Sequence, residues 1–457
     1  MNPGAQYPHG PLRLGPDTTN ALPDIGYRHF SGYNYLDTKV RMFSHTHFVG
    51  AGINGLGNLG VMPVRLREGE EDVSLQKWIY SEHDGGDKDV TFNTLVWWSG
   101  FSKEREVAVP GKYQVHLDTP SVDATLLATG TLTAIHQYDF SNSADATGHY
   151  TPAVVVDICH AAMMSPGITR IRNSNCHNAS MSVSDDGQSF TASLLGDKDI
   201  WMYFYGEFTT AEGSAIAAKR WTVCSNNDAE NDEDSNFSCD TGVKKGSSDN
   251  GLLFSRVSFG PMKSDQAARI DLRVGLSYIS TDMAKNNYLN DFPESKDDFQ
   301  ERVTETEKAW CDALDFMSVS SVDGDSDSEA MLYSASYRAR MTPTIYTEAG
   351  GLYLGLDKTV HNATEERGTT YGIGQGSGKV LEFYSDLSFW DTFRGAHPWQ
   401  LLTDESLAVG VLRSVSEMTV QQNAFPRWVL ANQDISCMVG LHGGESYTSI
   451  CRASCHI

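Results

Sequence analysis

The feature that most constrains the fold of this chain is a change of hydrophobic pattern near residue 291. Before it, short runs rich in Val, Thr, Tyr and Phe recur between polar clusters, for example GKYQVHLDT, PAVVVDICH and RIDLRVGLSYIS. Such runs predict short strands joined by turns. After it, Phe299, Val303, Trp310 and Leu314 recur at helical spacing. Two periods in one chain predict a strand-rich part followed by a helical part.

Length supports the same division, because 457 residues exceed what one hydrophobic core usually serves. We predict a β-sandwich domain over residues 1–285, since many short strands with polar turns are typical of two packed sheets. A linker helix region is expected over 286–317. A helical domain is expected over 318–457.

The acidic run before the second expected helix does not predict a calcium loop. Asp323, Asp325 and Asp327 alternate like the start of an EF-hand. Ser328 and Ser334, however, stand at loop positions six and twelve, where the motif needs Gly and Glu. The acids are better explained as caps of a helix that starts near Ser328, where the helix dipole favours negative charge.

Charge and hydropathy exclude several classes of partner. The formal net charge is −24 and the sequence pI is about 4.9. Nucleic acids and anionic membrane surfaces require a basic footprint, so neither is expected as a partner. No apolar run approaches the ~20 residues of a membrane span, and the N-terminus does not read as a signal peptide. A neutral ligand such as a glycan suits this composition.

Cysteines and glycosylation sequons favour a secreted or secretory-pathway protein. Eight cysteines are too few for a disulfide scaffold, but Cys224 and Cys239 bracket the acidic segment SNNDAENDEDSNFS and could clip it as a loop. Sequons occur at Asn178, Asn236 and Asn362. Each sequon is a weak signal alone, because the pattern arises by chance.

The stretch VLEFYSDLSFWDTFRGAHP carries the residues best suited to bind a sugar. Trp390 offers a flat apolar face for a pyranose ring. Asp391 can accept hydrogen bonds from two adjacent hydroxyls, and Arg394 can hold a third oxygen or orient the Asp. A second interpretation stays open, in which the segment is a helix, Asp391 and Arg394 form an i,i+3 ion pair, and the aromatic residues are core.

A pair of histidines in FSHTHF is the other candidate. His45 and His47 are two residues apart, which on a strand places both on one face. A metal pair would need a third ligand, and no nearby His or Cys pattern supplies one. Bonding of both rings to the backbone is the usual role of strand histidines. The following GAGINGLGNLG is a glycine-rich loop, because no βαβ unit accompanies it.

Five blocks occur in an order that resembles glycoside hydrolase family 92, the calcium-dependent exo-α-mannosidases. The blocks cover nearly the whole chain up to His442, and FSHTH followed by WDTFR is the most specific pair. They are NPGAQYPHGPLRLGPDT at Asn2–Thr18, GYNYLDTKVRMFSHTHFVGAG at Gly32–Gly52, LYSASYRARMTPTIYTEAGGLY at Leu332–Tyr353, FWDTFRGAHP at Phe389–Pro398 and CMVGLH at Cys437–His442.

The resemblance implies a β-sandwich followed by an (α/α)6 toroid. It implies an inverting, calcium-assisted α-mannosidase, α-1,2-mannosidase-like, that trims mannose from N-glycans of glycoproteins. It also implies that the histidines of FSHTH face the second domain and contact the sugar. The substrate-binding residues carried over are His45, His47, Trp390, Asp391, Arg394 and His442; the calcium ligands and the oligomeric state stay unknown.

The sequence also departs from the family pattern. From Pro293 onward there is room for roughly half of the twelve toroid helices, so an incomplete toroid is expected. After CMVGLH the tail GGESYTSICRASCHI has no amphipathic period. The family's general-acid Glu and general-base Asp have no matching positions here. We therefore expect a truncated chain without activity of its own, and the alternative function is that of a catalytically incomplete or carbohydrate-binding fragment.

Another sandwich-plus-toroid enzyme, such as a polysaccharide lyase or a disaccharide phosphorylase, is a further alternative. A lyase would present Tyr, His and Arg to an acidic sugar. A chain with a net charge of −24 suits that substrate poorly.

Overall fold

The structure is a computed structural model. The structure describes residues 2–19, 31–49, 56–67, 81–83, 92–94, 97–141, 149–162, 176–210, 220–225, 238–242, 244–248, 253–260, 262–263, 269–293, 298–319, 326–363 and 382–446.

Two large antiparallel sheets make up the first part of the molecule. The first sheet has the strand order β1-β2-β3-β4-β12-β19-β16-β17, with β7 on β3 and β20 on β12. Its strands are β1 (Ala5–Gln6), β2 (Arg13–Thr19), β3 (Lys39–Ser44), β4 (Gly60–Arg67), β7 (Ser99–Gly100), β12 (His149–Asp157), β16 (Arg220–Ser225), β17 (Ser238–Thr241), β19 (Leu253–Ser258) and β20 (Met262–Lys263).

The second sheet has the order β18-β13-β14-β15-β21-β11-β10-β9-β8. Its strands are β8 (Glu106–Val109), β9 (Lys112–Leu117), β10 (Val122–Ala128), β11 (Thr133–Asp139), β13 (His177–Val183), β14 (Ser189–Leu195), β15 (Trp201–Thr209), β18 (Lys245–Ser248) and β21 (Arg269–Ser277). A separate hairpin pairs β5 (Ser81–His83) with β6 (Phe92–Thr94).

The core lies between the two sheets. Apolar side chains from both, such as Phe43 and Val154 of the first and Phe204 and Leu272 of the second, belong to one buried cluster. Strand β14 shows the alternation that produces it, with every second residue buried and the others half-exposed. The predicted strand-rich domain of two sheets is therefore confirmed.

A mainly helical part follows from Thr281. Its helices are α1 (Thr281–Asp291), α2 (Phe299–Leu314), α3 (Ser326–Ala339), α4 (Ala396–Thr403) and α5 (Glu405–Gln422). Short strand pairs connect them: β22 (Thr344–Ile345) with β25 (Tyr384–Ser385), β23 (Leu352–Leu354) with β24 (Val360–Asn362), and β26 (Val429–Leu430) with β27 (Gln433–Asp434).

Helix α2 has the predicted amphipathic pattern. Asp298 caps its start by accepting a hydrogen bond from the Gln300 backbone N–H, and Val303, Thr306 and Trp310 form its buried face. Helix α1, capped in the same way by Ser280, was not predicted from the sequence pattern. Its residues do not form a clear apolar stripe, because the polar Asn287 is buried while Leu289 is exposed.

One local prediction is wrong, and another can be compared with the structure only in part. The sequence TPTIYTEAGGLYLGLDK suggests a hairpin with its turn at Gly350–Gly351, and this is wrong. The chain turns between Gly355 and Thr359, where a backbone N–H···O bond of 2.9 Å closes the loop. The two glycines lie in a short 3-10 turn before it. Asp327 lies in the first turn of α3, as the capping interpretation predicts. Asp323, Asp325 and the acidic segment between Cys224 and Cys239 fall outside the described residues.

The cysteine clip is confirmed. A disulfide joins Cys224 to Cys239 across β16 and β17, where the two residues are register partners. A second disulfide joins Cys159 to Cys176. Among the described residues, no helix is long and apolar enough to cross a membrane.

The N-terminal strands are clamped by the helical part. The Trp310 indole donates to the Gln6 carbonyl at 2.7 Å, and the Gln6 side chain donates to the Met341 carbonyl at 2.8 Å. The Ile345 backbone N–H donates to the His9 carbonyl at 2.8 Å. These bonds join residues more than 300 positions apart, so the two parts are locked together by buried polar contacts.

Candidate functional site

The segment Phe389–Gly395 is anchored at its start by a backbone contact of Leu387 and by the buried Phe389. Leu387 exchanges two backbone hydrogen bonds of 3.0 Å with Val429, which fixes the chain just before the segment. Phe389 is fully buried and has a left-handed φ of 32°. The chain then turns outward, and Trp390 is 46% exposed. Phe389 therefore anchors the segment in the interior, and its neighbour Trp390 is open to solvent.

The alternative interpretation, a helical ion pair between Asp391 and Arg394, is not observed. The segment consists of turns, and α4 begins only at Ala396. Both side chains are exposed, and Asp391 has no hydrogen-bond or ion-pair partner among the described residues. The Arg394 guanidinium lies 4.9 Å from the Phe393 ring centroid. The polar atoms of both side chains are therefore open to solvent.

His442 lies beside this turn. Its ring stacks on Phe393, with centroids 4.3 Å apart and planes within 18°. Its Nδ1 donates to Glu445 Oε2 at 2.6 Å, which fixes the orientation of the ring. Of the predicted substrate-binding residues, Arg394 and His442 thus contact Phe393, and Trp390 and Asp391 lie in the same turn.

His45 lies between the two sheets of the sandwich. Its Nδ1 is 2.6 Å from the Leu59 carbonyl, so it donates there, and Nε2 must accept from His136 Nε2 at 2.8 Å. His136 Nδ1 then accepts from the Tyr138 hydroxyl at 2.9 Å. This chain of bonds requires both imidazoles to be neutral. Burial lowers the pKa of His45 to about 4 and that of His136 well below its usual value.

His47 binds a buried carboxylate. Its Nε2 donates to Asp17 Oδ1 at 2.7 Å, and His160 Nε2 donates to Asp17 Oδ2 at 2.6 Å. Burial raises the pKa of Asp17, but the two histidines outweigh it and hold the pKa well below its usual range. A β-bulge at Arg41 of β3 lies opposite Asp17 and Thr18, and Gly32 packs so closely that a Cβ would lie 1.9 Å from Asp17 Oδ1. The surroundings are therefore shaped around this carboxylate.

The spacing of the two histidines predicted that they share one strand face, and in the structure they do not. Strand β3 ends at Ser44 and the chain bends at His45, because the His45 carbonyl accepts from the Arg13 backbone N–H. His45 and His47 are 0% and 2% exposed. Their rings bond within the protein, so a sugar contact by either would require one of these bonds to open.

Two contacts connect the FSHTHF region to the helical part. Phe48 packs on Trp428 with ring centroids 6.1 Å apart. The Arg13 guanidinium lies 3.7 Å from Asp386, which also accepts from the Tyr346 hydroxyl at 3.0 Å. Asp386 is three residues before Phe389. Sequence reasoning missed this network because its members are hundreds of residues apart and carry no local pattern.

Glu348 is the other acid that the sequence did not single out. It is 4% exposed and borders a polar cleft of about 320 Å³. Burial raises its pKa to about 7, although Ser277, the Tyr278 backbone N–H and Asn287 all donate to it. An acid that lies in a cleft and has a raised pKa is a candidate catalytic residue. Here both oxygens are occupied by donors from the end of β21 and from α1, so Glu348 joins the two parts.

The described residues do not fit a calcium site. Among them, no group of three or more His, Cys, Asp or Glu side chains could hold a metal ion. Calcium prefers six to eight oxygen ligands, and the single carboxylate of Asp391 falls well short of such a set. No chemical step is therefore assigned to a metal.

The molecule thus combines a two-sheet domain, a following helical part and a turn that exposes Trp390, Asp391 and Arg394. Comparison with family models gives the particular family. Residues 1–277 match the glycosyl hydrolase family 92 N-terminal domain, and residues 283–451 match the glycosyl hydrolase family 92 catalytic domain. The chain belongs to glycosyl hydrolase family 92.

A curated relative is an uncharacterized secreted glycosidase of Arthroderma benhamiae, 25% identical over 358 residues. The match covers 77% of this chain and 40% of the relative.

Solved structures share the fold. A family GH92 α-mannosidase from Bacteroides thetaiotaomicron, also solved with mannoimidazole, matches with a TM-score of 0.70 at 21% identity. The match covers 97% of this chain and 50% of that chain. A GH92 inverting mannosidase from the same bacterium gives a TM-score of 0.69 at 18% identity, over 99% of this chain and 49% of that one. This chain thus spans about half the length of these relatives, or less.

Proposed function

We propose that this chain is part of an exo-acting α-mannosidase, α-1,2-mannosidase-like, that trims mannose from N-glycans by an inverting mechanism. The observation that carries the proposal is the exposed set around Phe393 in a chain of family 92. Trp390 presents an aromatic face, and Asp391 and Arg394 present polar atoms that the described residues do not occupy with hydrogen bonds. Solved neighbours named as α-mannosidases support the choice of sugar.

These residues would bind and orient the sugar. The apolar face of a mannose ring stacks on the Trp390 indole. Asp391, as an ionised carboxylate, accepts from two vicinal hydroxyls, and Arg394 donates to a third oxygen. An inverting reaction also needs a protonated carboxyl and a second carboxylate ~6.5–9.5 Å away with a water between them. No described pair is assigned to these two roles.

We further propose that the 457-residue chain alone binds mannose without hydrolysing it at a useful rate. The reason is that the family's acid and base have no matching positions in this sequence. Each positioned proton donor or acceptor contributes a factor of ~10²–10⁴ to the rate. Calcium remains the cofactor that family membership suggests, with ligands not found among the described residues.

Purified chain should be tested with α-1,2-mannobiose in calcium, with binding measured by calorimetry and hydrolysis by released mannose. We expect binding that falls about tenfold in Asp391→Asn and in Arg394→Lys, each losing roughly one charge-assisted hydrogen bond. Asp312→Asn is the matched control, because Asp312 is an exposed acid on α2 whose partner is Lys308.

Two results would contradict these proposals. If Asp391→Asn and the original chain bind mannobiose equally, Asp391 is not part of the sugar-binding site. Turnover by the 457-residue chain, lost on chelation of calcium, would show that an acid, a base and metal ligands lie within it.

A further inference from the structure

The structure distinguishes the three glycosylation sequons. Asn178 and Ser180 of the sequon Asn178-Ala179-Ser180 are exposed on β13, while Ala179 is buried. Asn362, by contrast, is half-buried in the β23–β24 hairpin opposite Leu352. Asn236 lies outside the described residues. We propose that Asn178 is an N-glycan acceptor, and that the first sugar of this glycan covers an apolar patch on the outer face of the second sheet.

A β-bulge presents the acceptor. His177 pairs with Leu195 and Ser180 with Ser193, so three steps along β13 match two along β14. Asn178 is in the extra segment and has a left-handed φ of 49°. The bulge frees its carboxamide from the regular alternation of the strand. The left-handed backbone alone explains an asparagine here, since Asn tolerates it. The sequon also needs Ser180, whose hydroxyl is exposed on the same strand and bonds at 2.8 Å to the Ser193 hydroxyl.

The transfer is a simple substitution. The Asn178 Nδ2 atom forms a bond to the anomeric carbon of an N-acetylglucosamine carried on a lipid pyrophosphate. The bond from that carbon to the pyrophosphate oxygen breaks, the lipid pyrophosphate leaves, and the amide nitrogen gives up one proton. No oxidant is needed. The donor is found in the secretory pathway, and the disulfide at Cys176, two residues before Asn178, suits such an oxidising compartment.

The patch lies in the same cross-strand row. His177 is opposite Leu195, and Leu195 is opposite Trp201 on the next strand. Leu195 and Trp201 are half-exposed on the outer face, and Trp201 stacks on Tyr203 with ring planes within 12°. Neighbouring strands are ~4.8 Å apart, so Trp201 lies about 10 Å from the acceptor strand. The Asn178 side chain and the first sugar together span that distance, and the apolar face of a sugar suits Leu195 and an indole.

Occupancy should be measured on the full chain secreted from yeast behind a cleavable leader. Peptide N-glycosidase converts a glycosylated asparagine to aspartate, which mass spectrometry locates. We expect aspartate at position 178, loss of one glycan in Asn178→Gln and in Ser180→Ala, and no loss in Asn362→Gln. Ser180→Ala keeps the asparagine of the bulge, so it separates glycosylation from backbone geometry. An unmodified Asn178 in secreted protein overturns the acceptor assignment. If a variant is not secreted, translation with microsomes gives the same readout without export.

The patch has its own test. Trimming with an endoglycosidase that leaves one N-acetylglucosamine should leave Tm higher than full removal does. In Trp201→Ala this difference in Tm should vanish while occupancy of Asn178 stays the same. An equal difference in both proteins overturns the contact with the patch. None of these measurements depends on mannosidase activity.

Discussion

The strand-rich part and the helical part use their polar side chains in opposite ways. In the first, His45 and His47 are buried and their rings bond within the protein. In the second, Asp391 is exposed and has no hydrogen-bond or ion-pair partner in the part of the chain that the structure describes. Both motifs look functional in sequence. The difference teaches that residue type does not report environment: the histidines have used their hydrogen-bonding capacity within the protein, whereas that of Asp391 is open to solvent.

The energetic reason is the cost of burying polar groups. An unpaired buried charge is very unfavourable, so Asp17 requires both His47 and His160. At the exposed turn, Asp391 is accessible to solvent and needs no protein partner. The comparison can therefore be tested by changing buried and exposed groups and recording stability separately from binding.

The largest effect is expected at Asp17. Asp17→Ala leaves His47 and His160 without their shared acceptor and should lower the free energy of unfolding by about 3–5 kcal/mol. Urea denaturation followed by tryptophan fluorescence measures this. Asp391→Asn is the matched control and should change stability by less than about 0.5 kcal/mol. Similar losses in both variants would abolish the contrast between buried and exposed acids.

The next effect is the pH dependence due to His45. Its pKa is about 4 in the folded protein and about 6.5 when unfolded. Because the unfolded state binds the proton first, this stability is present above pH ~6.5 and is lost as the pH falls. The loss should reach about 3 kcal/mol at pH ~4.

In His45→Gln, the curve of unfolding free energy against pH should be flatter between pH ~6.5 and ~4 by that amount. Burial also lowers the pKa of His9 and His397 to about 4 and that of His136 well below its usual value, so these groups keep some slope in the variant. A variant curve parallel to the original would show that His45 does not titrate between the folded and unfolded states.

Glu348 should act with the opposite sign. Its pKa is raised to about 7, so its contribution is fully present below pH ~4.5 and is lost as the pH rises through ~7. For each protein, the quantity compared is the free energy of unfolding at pH ~8 minus that at pH ~5. In Glu348→Gln this difference should be about 2.5 kcal/mol more positive than in the original chain. Comparing pH values within one variant removes the constant cost of the lost Ser277, Tyr278 or Asn287 bond. An unchanged difference would mean that Glu348 is ionised throughout.

The smallest effect on stability is expected at Trp390. Trp390→Ala should lower the free energy of unfolding by less than about 1 kcal/mol, because nearly half of the side chain is already exposed. Binding of mannose-terminated glycan should nevertheless fall about tenfold, or ~1.4 kcal/mol, measured by calorimetry. Leu402→Ala, on an 83% exposed residue of α4, is the control and should change neither quantity. Intact binding in Trp390→Ala would place the sugar elsewhere.

Local pattern was enough to predict much of the fold. Alternating runs predicted the strands because one face of each sheet is buried, and the spacing of Val303 and Trp310 predicted α2 because that helix buries one stripe. Helix α1 was missed, since Asn287 in its buried face is stabilised by tertiary hydrogen bonds to Leu276 and Glu348 that no local pattern reports.

Of the candidate site, the sequence predicted residue types but not environments. The grouping of Trp390 with Asp391 and Arg394 follows from their adjacency. The burial of His45 could not be predicted, because its partner His136 is 91 residues away on the other sheet. The bend after β3 depends on a bond to Arg13, which is likewise distant in sequence.

The clamp of the helical part on the first strands affects how the protein is made. During synthesis, Gln6 emerges some 300 residues before Trp310, whose indole donates to its carbonyl. Until then β1 and β2 lack the Gln6, His9 and Arg13 contacts described above. These contacts cannot form until the helical part has been synthesised. The backbone of the N-terminal strands is therefore exposed longest to a ribosome-associated chaperone.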